Sequence, residues 1–443
     1  MKTPASPPEW TDVFTSLARE GKIRLALRNV AGPLVRGRYL HWEELRHRSP
    51  PQELSLEEWW SMLKFRRTSM AREIPLHDGK GTAFWYTTVE PILERLHDLD
   101  KGAAGTIRMP EQIVNPETRD QYLVNSLIEE AVTSSQLEGA ITTRRVAREL
   151  LRTRRRPRDI SEQMIVNNFQ IMRRISTFKE REMTKELLLE IHRLITDGTL
   201  EDNEQGGRFR RPDEHVVVGT MLSDSVLHEP PPAGELEQRV SVFCDFANAR
   251  IPGQFLHPLL RSIILHFWLA YDHPFVDGNG RTARALFYWS MLRHGYWLCE
   301  YISISSVLRK APARYARSFL YTESDGNDLT YFILHQLQVL KEAVAELHRY
   351  IQRKSKQLQT LEAELHGLSE LNHRQRSLIG HALRHPYHVY TIAAHRMNHN
   401  VSYQTARTDL LNLVDRKLFV KSKRGKALVF RVDGKLEKKL RKK

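Results

Sequence analysis

Residues 273–284 read His-Pro-Phe-Val-Asp-Gly-Asn-Gly-Arg-Thr-Ala-Arg, and the residue types in this stretch suit the handling of a phosphate chain. His273 titrates near neutrality and can act as a general base. Asp277 is a hard oxygen donor of the kind that binds Mg²⁺. Gly278, Asn279 and Gly280 form a turn in which glycine frees the backbone and brings N–H groups close to a ligand. A helix opening just after the turn adds unpaired N–H groups and the positive end of its dipole, a ready anion site. Arg281 and Arg284 are three apart, so a helix puts both guanidiniums on one side, able to fork onto phosphate oxygens. Together the parts describe a base beside a Mg²⁺–polyphosphate site. The competing reading is a buried helix–turn–helix in which these groups only satisfy local carbonyls, and for any single residue it would win. For eight specified positions together, a chance match falls below roughly 10⁻⁷ per chain.

These residues need elements to hold them. The apolar segment Ile263, Ile264, Leu265, Phe267, Trp268, Leu269, Ala270 leads into His273. Upstream, Ser134 and Glu138 are i, i+4 and share a helical face, and Gly139 stands where a helix stops. A carboxylate there meets the negative end of the dipole, which suggests a cationic partner elsewhere. Gly207-Arg208-Phe209-Arg210, then Val216 to Gly219, and the ending His228-Glu229-Pro230 read as a strand or hairpin bounded by Gly and Pro. The remainder of 115–300 reads as helix after helix. Arg152, Arg154, Arg155, Arg156 and Arg158 around Pro157 read as a solvated loop.

The stretch 273–284 matches the pattern HxFx(D/E)GNGRxxR in full, and the chain resembles the Fic family, AMP-transferring enzymes of the Fic/Doc superfamily. The resemblance implies that His273 deprotonates a Ser, Thr or Tyr hydroxyl of a target protein. It implies that Asp277 holds the Mg²⁺ of ATP and that Gly278, Asn279 and Gly280 form the anion hole, with Asn279 orienting the α-phosphate. Arg281 would neutralise the phosphates, Arg284 would hold the γ-phosphate, and Phe275 would anchor the loop in the core. Residues 134–139 match the family's inhibitory pattern (S/T)xxxE(G/N), so Ser134, Glu138 and Gly139 are implied to be regulatory, with Glu138 pairing Arg284 against the γ-phosphate. The hairpin at 207–232 corresponds to the family's flap, where a target peptide adds as a strand. Tyr315 and Tyr321 are candidates for the adenine wall.

Length and composition set the outer bounds. A chain of 443 residues is expected to form two or three domains, and 41% hydrophobic residues support real cores. No run of 18 apolar residues occurs, so no membrane span is expected, and MKTPASPPEW has no apolar core of a secretory peptide. Cys244 and Cys299 give neither a disulfide framework nor metal spacing, which fits a reducing cytoplasm, and the expected location is cytoplasmic. Gly79-Lys80-Gly81-Thr82 lacks the spacing of a phosphate loop. The net charge of +15 is compatible with a polyanionic partner.

The expected fold is mainly α: a helical Fic-domain bundle with a small β-hairpin flap, plus a C-terminal winged helix-turn-helix. Residues 1–105 form an N-terminal region of unclear role, with a capping box at Ser55–Glu58 and core aromatics Phe84, Trp85 and Tyr86. Residues 106–345 form the Fic domain, with the inhibitory helix near 120–139. From 331 a long helix carries the seam Ile333, Leu337, Leu340, Val344, Leu347, Ile351, expected first to pack on the core and second to self-associate into a homodimer. Residues 346–370 connect to a module over 371–443, with helices 374–383, 391–397 and 403–416 and two strands around 418–420 and 428–430. This module resembles a winged helix-turn-helix. Tyr403, Gln404 and Arg407 would face a DNA groove, while Lys423, Arg424 and Lys426 would meet phosphate.

The resulting expectation is an autoinhibited protein AMPylase using ATP and Mg²⁺, with a hydroxyl-bearing protein, the chain itself included, as target. Two alternatives stand beside it: a nucleotide-sensing transcriptional regulator, and a Fic protein that removes AMP or transfers another phosphate group.

Overall fold

The computed structural model describes the chain except residues 1–2, 105–115, 154, 221–222, 252, 254, 367–369, 386–387, 425–426, 434–435 and 437–443. It is mainly α and divides into two compact units, residues 1–106 with 126–344, and residues 107–125 with 345–443. No described helix is long and apolar enough to cross a membrane.

The first unit opens with α1 (Trp10–Arg19), α2 (Ile23–Asn29), α3 (Trp42–Leu45) and α4 (Leu56–Thr68), gathered around Leu17, Ala26, Trp60 and Leu63. The capping box of α4 is complete: Glu58 N–H donates to Ser55 Oγ at 3.1 Å and Ser55 N–H to Glu58 Oε2 at 2.6 Å. The antiparallel hairpin β1 (Ala71–His77) and β2 (Ala83–Thr87) follows, with Phe84, Trp85 and Tyr86 all buried, and then α5 (Glu90–Leu99).

This N-terminal layer, without a role in the sequence, is docked by buried polar groups. Tyr39 donates to Asp328 Oδ2 at 2.6 Å, Lys64 pairs with Asp325 at 2.9 Å, and Arg67 donates to Tyr331 Oη at 3.0 Å. Burying Lys64 and Arg67 is tolerable only because each finds such partners.

The centre is formed by α11 (Pro258–Asp272), which is largely apolar, and α12 (Asn279–Arg293), whose buried residues include Asn279, Arg281 and Arg284, and both are buried along nearly their whole lengths. Around them stand residues 126–137 of α6 (Pro116–Leu137), with α7 (Arg144–Thr153), α8 (Ile160–Phe178), α9 (Lys185–Thr196) and α10 (Leu236–Ala247). A short hairpin, β3 (Val218–Thr220) with β4 (Ser223–His228), pairs Val218 with His228. Then come α13 (Ile304–Leu308), α14 (Pro312–Ser324) and the long α15 (Thr330–His366). Phe267, Phe319 and Phe332 meet at centroid distances of 4.6–5.2 Å and pack α14 and the start of α15 on α11. Along α15, Ile333, Leu337, Leu340 and Val344 are buried in this unit.

The second unit carries α16 (His373–Arg384), α17 (Ile392–His399), α18 (Tyr403–Asp415) and a three-stranded sheet ordered β5 (Tyr390–Thr391), β7 (Ala427–Val432), β6 (Phe419–Arg424). Its core includes Leu378, Ile379, Leu410, Leu413, Phe419 and Phe430. Asp409, buried, accepts from Asn372 and Arg374, both at 2.7 Å.

Two expectations need correction. Thr391 is not helical: it caps α17, its Oγ1 accepting from Ala394 N–H at 3.1 Å, and a cap needs extended backbone, which lets Tyr390 and Thr391 pair with Phe430 and Val429. The arginine cluster is not simply solvated. Arg155 grips Glu162 with two bonds of 2.6 and 2.7 Å, burial and geometry making a fixed fork of what sequence shows only as charge.

Candidate active site

The site is built on the turn joining α11 to α12. His273 terminates α11 in the left-handed region, φ +45°, its N–H bonded to Leu269 O. Such a conformation costs a residue with a Cβ on the order of 1 kcal/mol and persists where the surroundings hold it. Here they do so from several sides. Arg210 Nε donates to the His273 carbonyl at 2.9 Å and Arg210 N–H to the Pro274 carbonyl at 2.9 Å. The preceding Asp272 is buried and takes bonds from Arg239 at 2.6 and 2.9 Å and from Trp268 Nε1 at 2.9 Å.

The ring of His273 places Nδ1 3.1 Å from the Ala270 carbonyl. A carbonyl can only accept, so Nδ1 carries the proton and Nε2 keeps its lone pair. Burial, reinforced by the charges of His228 and Arg210, pushes the imidazolium pKa down to about 4. Near neutral pH the ring is therefore an unprotonated base with its tautomer set.

Phe275 is buried and lies flat on the ring of His192 at 3.6 Å and 3°. His192 Nδ1 accepts from Gly207 N–H at 3.0 Å, so its Nε2 must donate to the Asp277 carbonyl at 2.9 Å. This histidine, neutral because burial pushes its pKa down to about 4, ties the segment before the hairpin to the turn. Gly278 has φ +83°, and a Cβ there would stand 2.6 Å from Thr196 Cγ2, so only glycine fits. At Gly280 a Cβ would overlap Glu138 Oε1: the glutamate carboxylate rests on the floor of the turn.

Glu138 follows the last turn of α6, and Gly139 after it takes φ +90°, ending the helix as its position predicts. Arg284, buried, donates from Nη2 to Glu138 Oε1 at 2.9 Å and to the Ser134 carbonyl at 3.0 Å, and from Nε to Ser134 Oγ at 2.9 Å. The cationic partner that the dipole argument asked for is thus Arg284.

Other expected roles change. Asn279 does not reach outward: its Oδ1 accepts from Phe275 N–H at 3.0 Å and its Nδ2 donates to the Phe275 carbonyl at 2.7 Å, so both ends of the amide staple the loop. Arg281 does not stand free beside Arg284. Its buried guanidinium donates to Asp277 Oδ2 at 2.9 Å and lies 3.4 Å from the Ile195 carbonyl, while its Nε has no partner among the described residues. The i, i+3 spacing puts the two arginines on one side of α12, but packing sends each to its own partner. Asp277 also accepts from Gly278 N–H at 2.5 Å, and its carboxylate is about half exposed.

Of the adenine-wall candidates, Tyr321 is unsuitable, since its ring stacks on His41 at 4.1 Å and is buried. Tyr315 belongs to the site from behind: His266 Nε2 is 2.8 Å from its hydroxyl, and the neighbouring Arg284 opposes the rise that burial gives its pKa, pushed up to about 12. In the second unit Tyr403, Gln404, Arg407 and Lys423 are exposed. Lys426 and the Arg424 side chain lie outside the described residues.

Sequence reasoning missed His192, Arg239, Glu130 and His266. His266 stands alone in an apolar run, where a satisfied core group is the default reading, while Glu130, His192 and Arg239 adjoin other polar residues, and no local spacing marks any of the four.

The Fic/DOC family model matches residues 182–291, from the segment before α9 to near the end of α12. This chain carries a Fic/DOC domain. The Fic domain so defined includes Arg210 and the whole of 273–284, while Ser134 and Glu138 lie upstream of it. Over 121 residues the chain is 36% identical to the protein adenylyltransferase Fic of Drosophila willistoni, covering 27% of this chain and 22% of that one. Against the protein of the same name from Nematostella vectensis it is 33% identical over 118 residues, 27% of this chain and 25% of the relative. The match thus spans about a quarter or less of these relatives. Among solved structures, a Fic family protein from Desulfovibrio desulfuricans G20 superposes with a TM-score of 0.52 at 20% identity, over 79% of this chain and 98% of that one. That likeness establishes the fold.

Proposed function

We propose that the chain is a protein adenylyltransferase, resting in an inhibited state, that moves AMP from ATP to a Ser, Thr or Tyr hydroxyl of a target protein. The observation that carries this reading is a base with a bare Nε2, His273, standing at the mouth of a helix N-terminus whose first N–H groups have no helical partner. The names of the curated relatives point to the same activity.

The target hydroxyl gives its proton to His273 Nε2 as its oxygen bonds to the α-phosphorus. The bond between that phosphorus and the oxygen bridging to the β-phosphate breaks, and pyrophosphate leaves. The turn at Gly278–Gly280 and the start of α12 supply N–H donors for the charge on the transferring group, so positioning and electrostatics carry most of the catalysis. Arg284, once released by Glu138, offers its guanidinium to the γ-phosphate. Asp277 fits a Mg²⁺ ion: its carboxylate is hard and half exposed, and no cluster of three or more metal-ligating side chains exists among the described residues to form a complete cage. Mg²⁺ keeps waters and takes substrate phosphates as ligands, so one carboxylate suffices, and the ion would neutralise polyphosphate charge there.

Autoinhibition rests on the Glu138–Arg284 pair. Glu138 competes with the γ-phosphate for one guanidinium and covers Gly280 as well. Incubation with α-labelled and, separately, γ-labelled ATP tests the activity: label entering protein from the α position alone means AMP transfer. Label from the γ position would mean phosphate transfer and overturn the reading.

The second unit supports a DNA-binding role. Ser402 Oγ accepts from Thr405 N–H at 3.1 Å and starts α18, which exposes Tyr403, Gln404 and Arg407 next to the basic strand carrying Lys423. This arrangement suits a winged helix-turn-helix with α18 as reading helix.

A further inference from the structure

His228 closes β4 and is nearly buried, with its ring against that of Tyr271 at 4.7 Å. Its Nδ1 lies 2.7 Å from Glu323 Oε2 on α14, and its Nε2 lies 2.7 Å from the carbonyl oxygen of Tyr271 on α11. Neither an ionised carboxylate nor a carbonyl has a proton to give. A neutral imidazole carries one N–H and could satisfy only one of them, so both contacts together call for the imidazolium. Neither residue belongs to the expected catalytic or regulatory set.

We propose that His228 is a positioning residue whose imidazolium latches the hairpin to α11 and α14, holding it in register with His273. The latch spans three elements: β4, the last turn of α11 two residues before His273, and the C-terminal end of α14. This rests on the reading of the hairpin as the surface that receives the hydroxyl-bearing target. An unlatched hairpin would still leave the ATP site intact, because the partners of Gly280 and Arg284, Glu138 and Ser134, are not those of His228, which meets Glu323 and Tyr271.

The charges around the ring agree with the geometry. Burial alone would lower the pKa of His228, but the bond and charge of Glu323, the Tyr271 carbonyl and the charge of Asp272 raise it above the ordinary 6.5. Arg239 on α10 opposes Asp272, to which it is paired. Asp78, in the β1–β2 turn, acts on the neighbouring Tyr271, and His273 is neutral above about 4. Among the described residues Glu323 is the anion in direct contact. A raised pKa means that the latch is complete below the ordinary value and is lost as pH rises through the elevated one. The proton needed by the latch and the lone pair needed by the base coexist between these limits.

Histidine-selective NMR of the full chain tests the latch without any activity. The resonance that disappears in His228→Gln identifies the ring, and its midpoint is expected above 6.5, moving down in Glu323→Gln. A wild-type midpoint at or below 6.5 overturns the proposal. Kinetics in a Glu138→Gly background then test its purpose, with AMP incorporation into the chain itself as readout. Near pH 6, His228→Gln should lower incorporation by about tenfold, a sub-ångström share of the roughly 10²-fold that a full ångström of misplacement can cost, with ATP affinity by calorimetry unchanged. The parent's alkaline fall should be missing from the variant. Loss of equal size at every pH would show a merely structural histidine and sink the proposal. No incorporation in the Glu138→Gly parent would instead refute the adenylyltransferase reading, while the NMR midpoint would still decide the latch.

Discussion

In the proposed mechanism His273 and Glu138 do opposite jobs, and each is set by contacts its neighbours make. For His273 these are the Ala270 carbonyl on Nδ1 and Arg210 on its backbone, which leave Nε2 as the free base. His273→Ala should therefore lower AMP incorporation by at least about 10²-fold, the usual contribution of a positioned base, with ATP affinity by calorimetry almost unchanged. Undiminished incorporation by a folded His273→Ala protein would sink the mechanism. Because its pKa is lowered to about 4, its proton is lost as pH rises through that value, so activity of the free enzyme should show its acid limb there and not near 6.5. Glu138→Gly removes both the ion pair and the cover over Gly280, and should raise incorporation well above wild type. Adding His273→Ala must return it to background, since releasing a brake cannot replace a base. A folded, ATP-binding Glu138→Gly protein no more active than wild type would reduce Glu138 to a helix-end carboxylate.

At the scale of elements, the question is why Glu138 outcompetes solvent for Arg284. The answer lies two turns earlier on α6. Glu130, buried, accepts from Tyr288 Oη at 3.0 Å, Ser303 Oγ at 2.7 Å, Ser305 N–H at 3.1 Å and Ser305 Oγ at 2.5 Å. These bonds join α6 to α12 and α13, so Glu138 is delivered to Arg284 by a helix already fixed and loses little freedom on pairing. Glu130→Ala leaves those donors buried without their acceptor and should destabilise the protein by about 3 kcal/mol. It should also loosen the end of α6, speeding amide exchange over 126–137 and raising incorporation part of the way towards Glu138→Gly. Unchanged exchange in that segment would mean that α6 is held by its apolar face alone.

For the whole molecule, the two units pose separate questions. The second has a core of its own and a surface helix suited to a groove, and the chain carries a net charge of +15. If α18 reads DNA, binding by the full chain should weaken steeply with salt, because each phosphate contact releases counterions. Arg407→Ala should then blunt sequence preference, whereas Lys423→Ala should weaken all sequences alike and reduce the salt slope by about one. Absence of any DNA affinity at low salt would remove this role and leave the exposed face of α18 without an assigned partner. The first unit makes the opposite point about the N-terminal hundred residues. They belong to the same compact unit as the Fic/DOC domain, docked on the segment before α15 and on its first turn through Lys64, Tyr39 and Arg67.

What the sequence by itself determined was whatever is local. The run from His273 to Arg284, the glycines of the turn, the end of α6 at Gly139, the capping box at Ser55 and the cap of α18 at Ser402 were all legible. Each follows from backbone geometry or from chemistry a few residues long. The mainly helical architecture was legible for the same reason, through its periodic apolar faces. Tertiary structure alone decided which group meets which across long separations. It sent Arg281 to Asp277 and Arg284 to Glu138, turned the Asn279 amide back onto Phe275, and stacked His192 beneath the loop. It also enclosed His228 between two acceptors. Such pairings depend on burial, where an unsatisfied charge or donor is too costly to leave and must take the nearest partner packing provides. Spacing along the chain carries no record of that distance, and so the residue types of the site could be read from the sequence while the partner of each residue could not.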